Sequence, residues 1–141
     1  MLRGIPPLLT PDLLHALAAM GHGDRIAIVD ANFPAAALAQ RLVELPGVDA
    51  SAVLEAVLTL MPLDDFIPDP ACVMQVVGDP HEVPDAVRDF TTILARHRAG
   101  GPTGLERHAF YRTTENAFVV VRTGERRLYG NILLSKGVIR P

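Results

Sequence analysis

Met20-Gly21-His22-Gly23-Asp24-Arg25, running straight into Ile26-Ala27-Ile28-Val29-Asp30, is the stretch that decides the fold. Ile26 to Val29 is a continuous apolar run with β-branched residues, the pattern of a strand covered on both faces. Upstream, Thr10-Pro11-Asp12 offers an N-cap, a proline at the first helical position and an acid in the positive first turn. Leu13, Leu14, Leu17, Ala18 and Met20 then give one apolar helix face, which Gly21 is expected to end. Downstream, Asp30-Ala31-Asn32-Phe33-Pro34 breaks the strand with a tight turn. Asp30 therefore falls at a strand's C-terminal end, where ligands bind in open α/β sheets.

The remaining chain keeps this grammar. Residues 35–39 can start a short helix, and Arg41 to Leu45 reads as a short strand stopped by Pro46-Gly47. Asp49 or Ser51 caps a helix carrying Val53, Leu54, Val57, Leu58 and Met61 inward, and Leu63 to Pro70 is an acidic, proline-bounded loop. Ala71 to Val77 reads as a second buried strand, and Pro84 opens a helix with Val87, Phe90, Ile93 and Leu94 inward. In the last third, Tyr111 to Glu115 fits a short helix, Phe118 to Val121 a strand and Ile132 to Leu134 another. The expected architecture is α/β, a three-layer α/β/α single domain over residues 1–141 with a mixed, largely parallel sheet.

Bulk properties limit the function classes. A length of 141 residues with 49% hydrophobic content supports a packed core. The 13 basic and 16 acidic residues leave a net charge of −3 without charge blocks, which argues against a nucleic-acid partner. No run approaches the roughly 20 apolar residues of a membrane span. Prolines at 6 and 7 interrupt any secretory apolar core. The lone Cys72 cannot form an internal disulfide, so a reducing cytoplasm is the expected compartment.

The dinucleotide glycine pattern, the phosphate loop with its lysine and the nucleophile-elbow serine are missing. Cys72, inside an apolar strand, reads as a buried inert thiol. His22, Asp24 and Asp30 are a conceivable metal set, but no histidine pair has a metalloprotease or zinc-finger spacing, and neither metal nor cofactor is expected. Proton transfer remains, and histidine changes charge near neutrality. His22, uncrowded between glycines, is either a helix C-cap or an acid/base group facing a ligand. Asp30 is either an Asx-turn residue or a ligand-facing carboxylate, and Asp24 suits turn chemistry. Arg107, His108 and Tyr111, with Tyr129-Gly130-Asn131, offer a cation, phenols and a carboxamide. Such donors and acceptors beside aromatic faces suit a polyol, although a surface arginine and a β-turn explain the same residues.

These motifs together resemble the RbsD/FucU sugar mutarotase family, nearly end to end. Met1-Leu-Arg-Gly-Ile5, Met20-Gly-His-Gly-Asp24, Asp30-Ala-Asn-Phe-Pro34, Ala109-Phe-Tyr111, Thr123-Gly-Glu125, Tyr129-Gly-Asn-Ile-Leu-Leu134 and Lys136-Gly-Val138 follow in the family's order. Gly23 and Gly130 are similar to the fucose branch, whereas the ribose branch tends to carry Gly-His-Thr-Asp and Tyr-Ala-Asn.

The resemblance implies His22 as the catalytic acid, with Asp30, Arg107, Tyr129, Gly130 and Asn131 binding substrate and Tyr111 as an additional sugar contact. It implies no cofactor, a monosaccharide ligand (L-fucose foremost), and a homo-oligomeric ring, commonly a decamer, with sites near subunit contacts. The implied reaction interconverts α and β anomers of L-fucose. Two alternatives stay open: a ribose-type pyranose/furanose interconversion, or non-catalytic sugar binding. Ala35 to Glu106 departs more freely from the family pattern, so sugar preference is less fixed than reaction type.

Overall fold

The computed structural model describes all residues from Met1 to Pro141. The apolar run becomes strand β1 (Arg25–Val29) of a six-stranded sheet that also contains β2 (Leu42–Leu45), β3 (Ala71–Met74), β4 (Thr103–Leu105), β5 (Val119–Thr123) and β6 (Ile132–Ser135). Their order is β2-β5-β1-β6-β3-β4. β1 runs parallel to β5 and antiparallel to β6, and β3 is antiparallel to β6. β2 pairs parallel with β5 and β4 with β3, so β6 is the single reversed strand.

Alternation along β1 divides the interior. Ile26 and Ile28 face a cluster of 27 buried residues built with α1 (Pro11–Ala19), α3 (Ala50–Leu58) and α4 (Asp85–Arg96). Ala27 and Val29 face a cluster of 10, with Phe33, Ala35 at the start of α2 (Ala35–Leu38), and Phe110 of α5 (Arg107–Glu115). A sheet apolar on both faces needs a helical layer on each, which is the expected three-layer α/β/α arrangement with a largely parallel sheet.

The caps follow the sequence closely. Thr10 Oγ1 accepts from Leu13 N at 3.4 Å and Asp49 Oδ1 from Ala52 N at 2.7 Å, fixing where α1 and α3 begin. Several boundaries move. β3 stops at Met74: Gln75 N still reaches Leu105 O of the edge strand β4 at 2.8 Å, but Asp79 N then folds back to Val76 O at 3.2 Å and Val77 is exposed. β4, three residues long and containing Gly104, carried no periodic signal. α5 starts at Arg107, four residues earlier than expected, because Glu106 Oε2 accepts from His108 N (2.9 Å) and Ala109 N (3.1 Å).

One close approach shapes the site. Gly137 N donates to Pro62 O at 2.8 Å, and a Cβ at Gly137 would overlap the Leu63 carbonyl. Gly137→Ala is thus expected to cost about 1–3 kcal/mol, read as a lower denaturant midpoint with an unchanged m value. The same change should also displace the loop that carries Asp64.

Candidate functional site

The predicted site residues fall at two opposite ends of the sheet. His22 precedes β1; Asp30 follows it, and β1 spans five residues, roughly 17 Å at about 3.3 Å per residue.

At the leading end, α1 stops at Ala19 rather than at Gly21. His22 does not cap it. Lys136 Nζ does, donating to Leu17 O at 2.7 Å and Met20 O at 2.5 Å. Asp24 performs turn chemistry as expected, Oδ2 accepting from Gly21 N at 2.7 Å. Gly23, at φ +84°, donates its N–H to Lys136 O at 2.8 Å, a left-handed position that glycine adopts without strain.

This turn presents an imidazole 45% exposed, with Nε2 3.1 Å from Oδ1 of Asp64, itself 4% exposed. An ionised carboxylate only accepts, so Nε2 donates and Nδ1 is the ring nitrogen left to exchange a proton with a ligand. The Phe66 amide, donating to the same Oδ1 at 3.0 Å, is the main reason the Asp64 carboxyl is held below its ordinary range, with His22 adding to it. The Phe66 ring lies 5.2 Å from the imidazole, and Arg140 stacks on Phe66 at 5.4 Å while pairing with Asp65. In the sequence, Asp64 and Phe66 stand only as parts of the acidic, proline-bounded loop from Leu63 to Pro70. Tracing which loop reaches His22 needs the fold.

At the trailing end, Asp30, Asn131, Gly130, Tyr129, Arg107 and Tyr111 gather where β1, β3, β4 and β5 finish and β6 begins. Asp30 and Asn131 are 4% and 3% exposed. Asp30 N donates to Asn131 Oδ1 at 2.9 Å, and Asp30 Oδ1 accepts from Asn32 N at 3.0 Å, so the expected Asx turn is present. Burial raises the Asp30 carboxyl above its ordinary value, opposed by its bonds to Asn32 and Asn131.

A carboxyl raised in the fold disfavours its ionised form there, so its stabilising balance holds below the ordinary value near 3.8 and is lost as pH rises through the folded value. Asp30→Asn keeps the Oδ1 acceptor and removes the buried charge. Its melting temperature at pH 7 is expected to rise above wild type, and the difference to shrink as pH falls below 4.

Tyr129 adopts φ +59° and its hydroxyl accepts from Val77 N at 3.1 Å. That loop borders a cleft of about 250 Å³ lined by Gln75, Val77, Glu106 and Arg107. Tyr111 packs edge-on against Phe33 at 5.4 Å and His108 at 6.3 Å. Cys72 is buried and its thiol is pushed up by burial, as an inert core thiol would be. His22, Asp24 and Asp30 do not converge, so they form no metal-binding set. Nor can Asp30 tune His22 within one chain.

Comparison with known proteins settles the lineage. Residues 3–139 match the model of the RbsD / FucU transport protein family. The chain belongs to that family. It is 41% identical over 147 residues to a fucose mutarotase of Bos taurus, covering 100% of this chain and 96% of that protein. The crystal structure of the fucose mutarotase of Streptococcus pneumoniae in complex with L-fucose superposes with a TM-score of 0.93 at 39% identity, covering 99% and 100% of the two chains. Bacillus subtilis RbsD complexed with D-ribose shares the fold, with a TM-score of 0.77 at 21% identity over 99% and 100% of the two chains.

Proposed function

We propose that this chain is an L-fucose mutarotase, an isomerase that interconverts the α and β anomers of L-fucose. The observation that carries this reading is the full-length likeness to fucose mutarotases, one of them holding L-fucose. Within the chain, the half-exposed His22 on its buried partner Asp64 and the Asp30–Asn131 set supply a proton-transfer group and polyol-binding donors and acceptors.

Nδ1 of the protonated imidazole gives its proton to the ring oxygen as the anomeric hydroxyl gives its own to a water molecule, which the half-exposed position of His22 admits. The C1–ring oxygen bond breaks and leaves the open aldehyde. Rotation about C1–C2 turns the other carbonyl face to the hydroxyl, and closure reverses both transfers. The carbonyl carbon keeps its oxidation state throughout. Asp64 holds the imidazole tautomer; Asp30, Arg107, Tyr129 and Asn131 hold hydroxyls, with Gly130 giving the ring room and Tyr111 an aromatic wall. Because open-chain exchange already occurs in water, a general acid supplying about 10²–10⁴-fold is sufficient catalysis.

Residues 1–141 act as one domain in this reading, and two copies complete each site. His22 of one protomer meets the Asp30 end of its neighbour in a closed ring. The surface beside His22 fits such a contact. Apolar grooves of about 390 and 400 Å³ share Leu14, the second is lined by Lys136 and Gly137, and Leu2, Leu60 and Ile139 stand exposed around them. No helix is long and apolar enough to cross a membrane, and a single buried thiol suits a cytoplasmic setting. Saturation-transfer NMR on L-fucose tests the function: added protein should carry saturation between the α and β anomeric signals, and binding without transfer would make it a sugar-binding protein instead.

A further inference from the structure

Thr123-Gly124-Glu125 and Arg127 touch neither His22 nor the cleft beside Arg107, yet they hold both halves of the trailing end. Thr123 Oγ1 donates to Val29 O at 2.8 Å and accepts from Glu125 N at 3.1 Å. Glu125 O accepts from Ala31 N at 2.9 Å. The peptide groups before and after Asp30 are therefore tied to one segment, which fixes the direction in which its carboxyl leaves the backbone.

The Glu125 side chain, 4% exposed, runs beneath Gly130: a Cβ at Gly130 would stand 2.6 Å from Glu125 Cγ and 3.5 Å from Asp30 Cβ. Arg127 keeps it there. Its Nε reaches Oε1 at 3.0 Å and Nη2 reaches Oε2 at 2.9 Å, a bidentate fork, and its backbone N–H donates to Oε1 at 2.9 Å. The remaining donors anchor the fork to two helices, Nη1 to Asp89 Oδ2 at 2.6 Å on α4 and Nη2 to Ser51 Oγ at 3.3 Å on α3. With its donors so engaged, Arg127 has little left for a sugar hydroxyl. Glu125 is drawn down to about 2, chiefly by that guanidinium, so the clasp stays charged at any working pH.

We propose that Glu125 and Arg127 are positioning residues, a clasp that sets Asp30 and the Tyr129–Asn131 loop at the spacing a sugar requires. This rests on the sugar-binding reading of those residues. Arg127 acts through Glu125, and Gly130 is glycine because the clasped side chain occupies the space beneath it. A lysine offers a point charge and no fork, so Arg127→Lys loosens the clasp without removing its charge.

The test measures L-fucose exchange against sugar concentration for wild type, Arg127→Ala and Arg127→Lys, well below their melting temperatures. Misplacement of this kind can cost about 10–10²-fold, and we expect it as a raised KM with kcat little changed in both variants. Millimolar guanidinium should restore KM in Arg127→Ala, whose vacated site is partly open to solvent. Unchanged KM in folded variants would make the clasp purely structural and overturn the proposal.

A second arm needs no activity. Gly130→Ala should lower stability in wild type but cost little in Glu125→Ala, where the colliding Cγ is gone. Strict additivity of the two changes would also overturn the proposal. If wild type itself exchanged no sugar, the function would fail while this arm still judged the clasp.

Discussion

His22→Ala is expected to slow α–β exchange of L-fucose by about 10²–10⁴-fold, with sugar binding largely retained. The groups proposed to bind the sugar lie beyond the far end of β1, so truncating an imidazole 45% exposed removes the proposed proton donor and leaves the Asp30–Asn131 bond intact. Little stability should be lost, as for most exposed positions. Asp64→Asn should act in the same direction and more weakly: it keeps an oxygen near Nε2 but can also present its NH₂ group there, so the tautomer that leaves Nδ1 facing the ligand is held less firmly. Saturation transfer and a binding titration on the same samples separate the two effects. Unchanged exchange in His22→Ala would remove His22 from the mechanism.

Mixing two inactive proteins should restore activity. His22→Ala protomers keep the Asp30 end, and Asp30→Asn protomers keep the imidazole. If each site takes His22 from one copy and Asp30 from its neighbour in a closed ring, unfolding and co-refolding a 1:1 mixture gives about a quarter of the sites both native groups. Exchange should then rise from near background to roughly that fraction of wild type, against two single variants that stay inactive. No recovery after verified co-assembly would contradict the two-copy arrangement.

The fold was legible where local chemistry acts over a few residues. The Thr10 and Asp49 caps and the run Ile26 to Val29 formed the elements expected of them. Asp30 stands at the C-terminal end of β1 as its sequence context implies, because a buried strand has a readable pattern and its end follows from the turn. The choice at His22 went the other way from helix capping, for reasons that lie far off in the chain. The helix carbonyls are taken by Lys136, 119 and 116 residues away, and the imidazole's partner Asp64 is 42 residues away in a loop without periodicity. Likewise β4 depends on pairing with β3 rather than on its own three residues. The pairing of Glu125 with Arg127 leaves no mark in the sequence, since the burial of Glu125 and the fork arise only when α3, α4 and the Gly130 loop meet.

Exchange rates for L-fucose, D-ribose and D-galactose, measured side by side on the wild-type protein by saturation-transfer NMR, decide the reaction and its sugar. We expect strong acceleration of α–β exchange for L-fucose and weaker acceleration for the other two. Acceleration of none of them, or pyranose–furanose exchange of D-ribose faster than L-fucose anomer exchange, would contradict the proposed function.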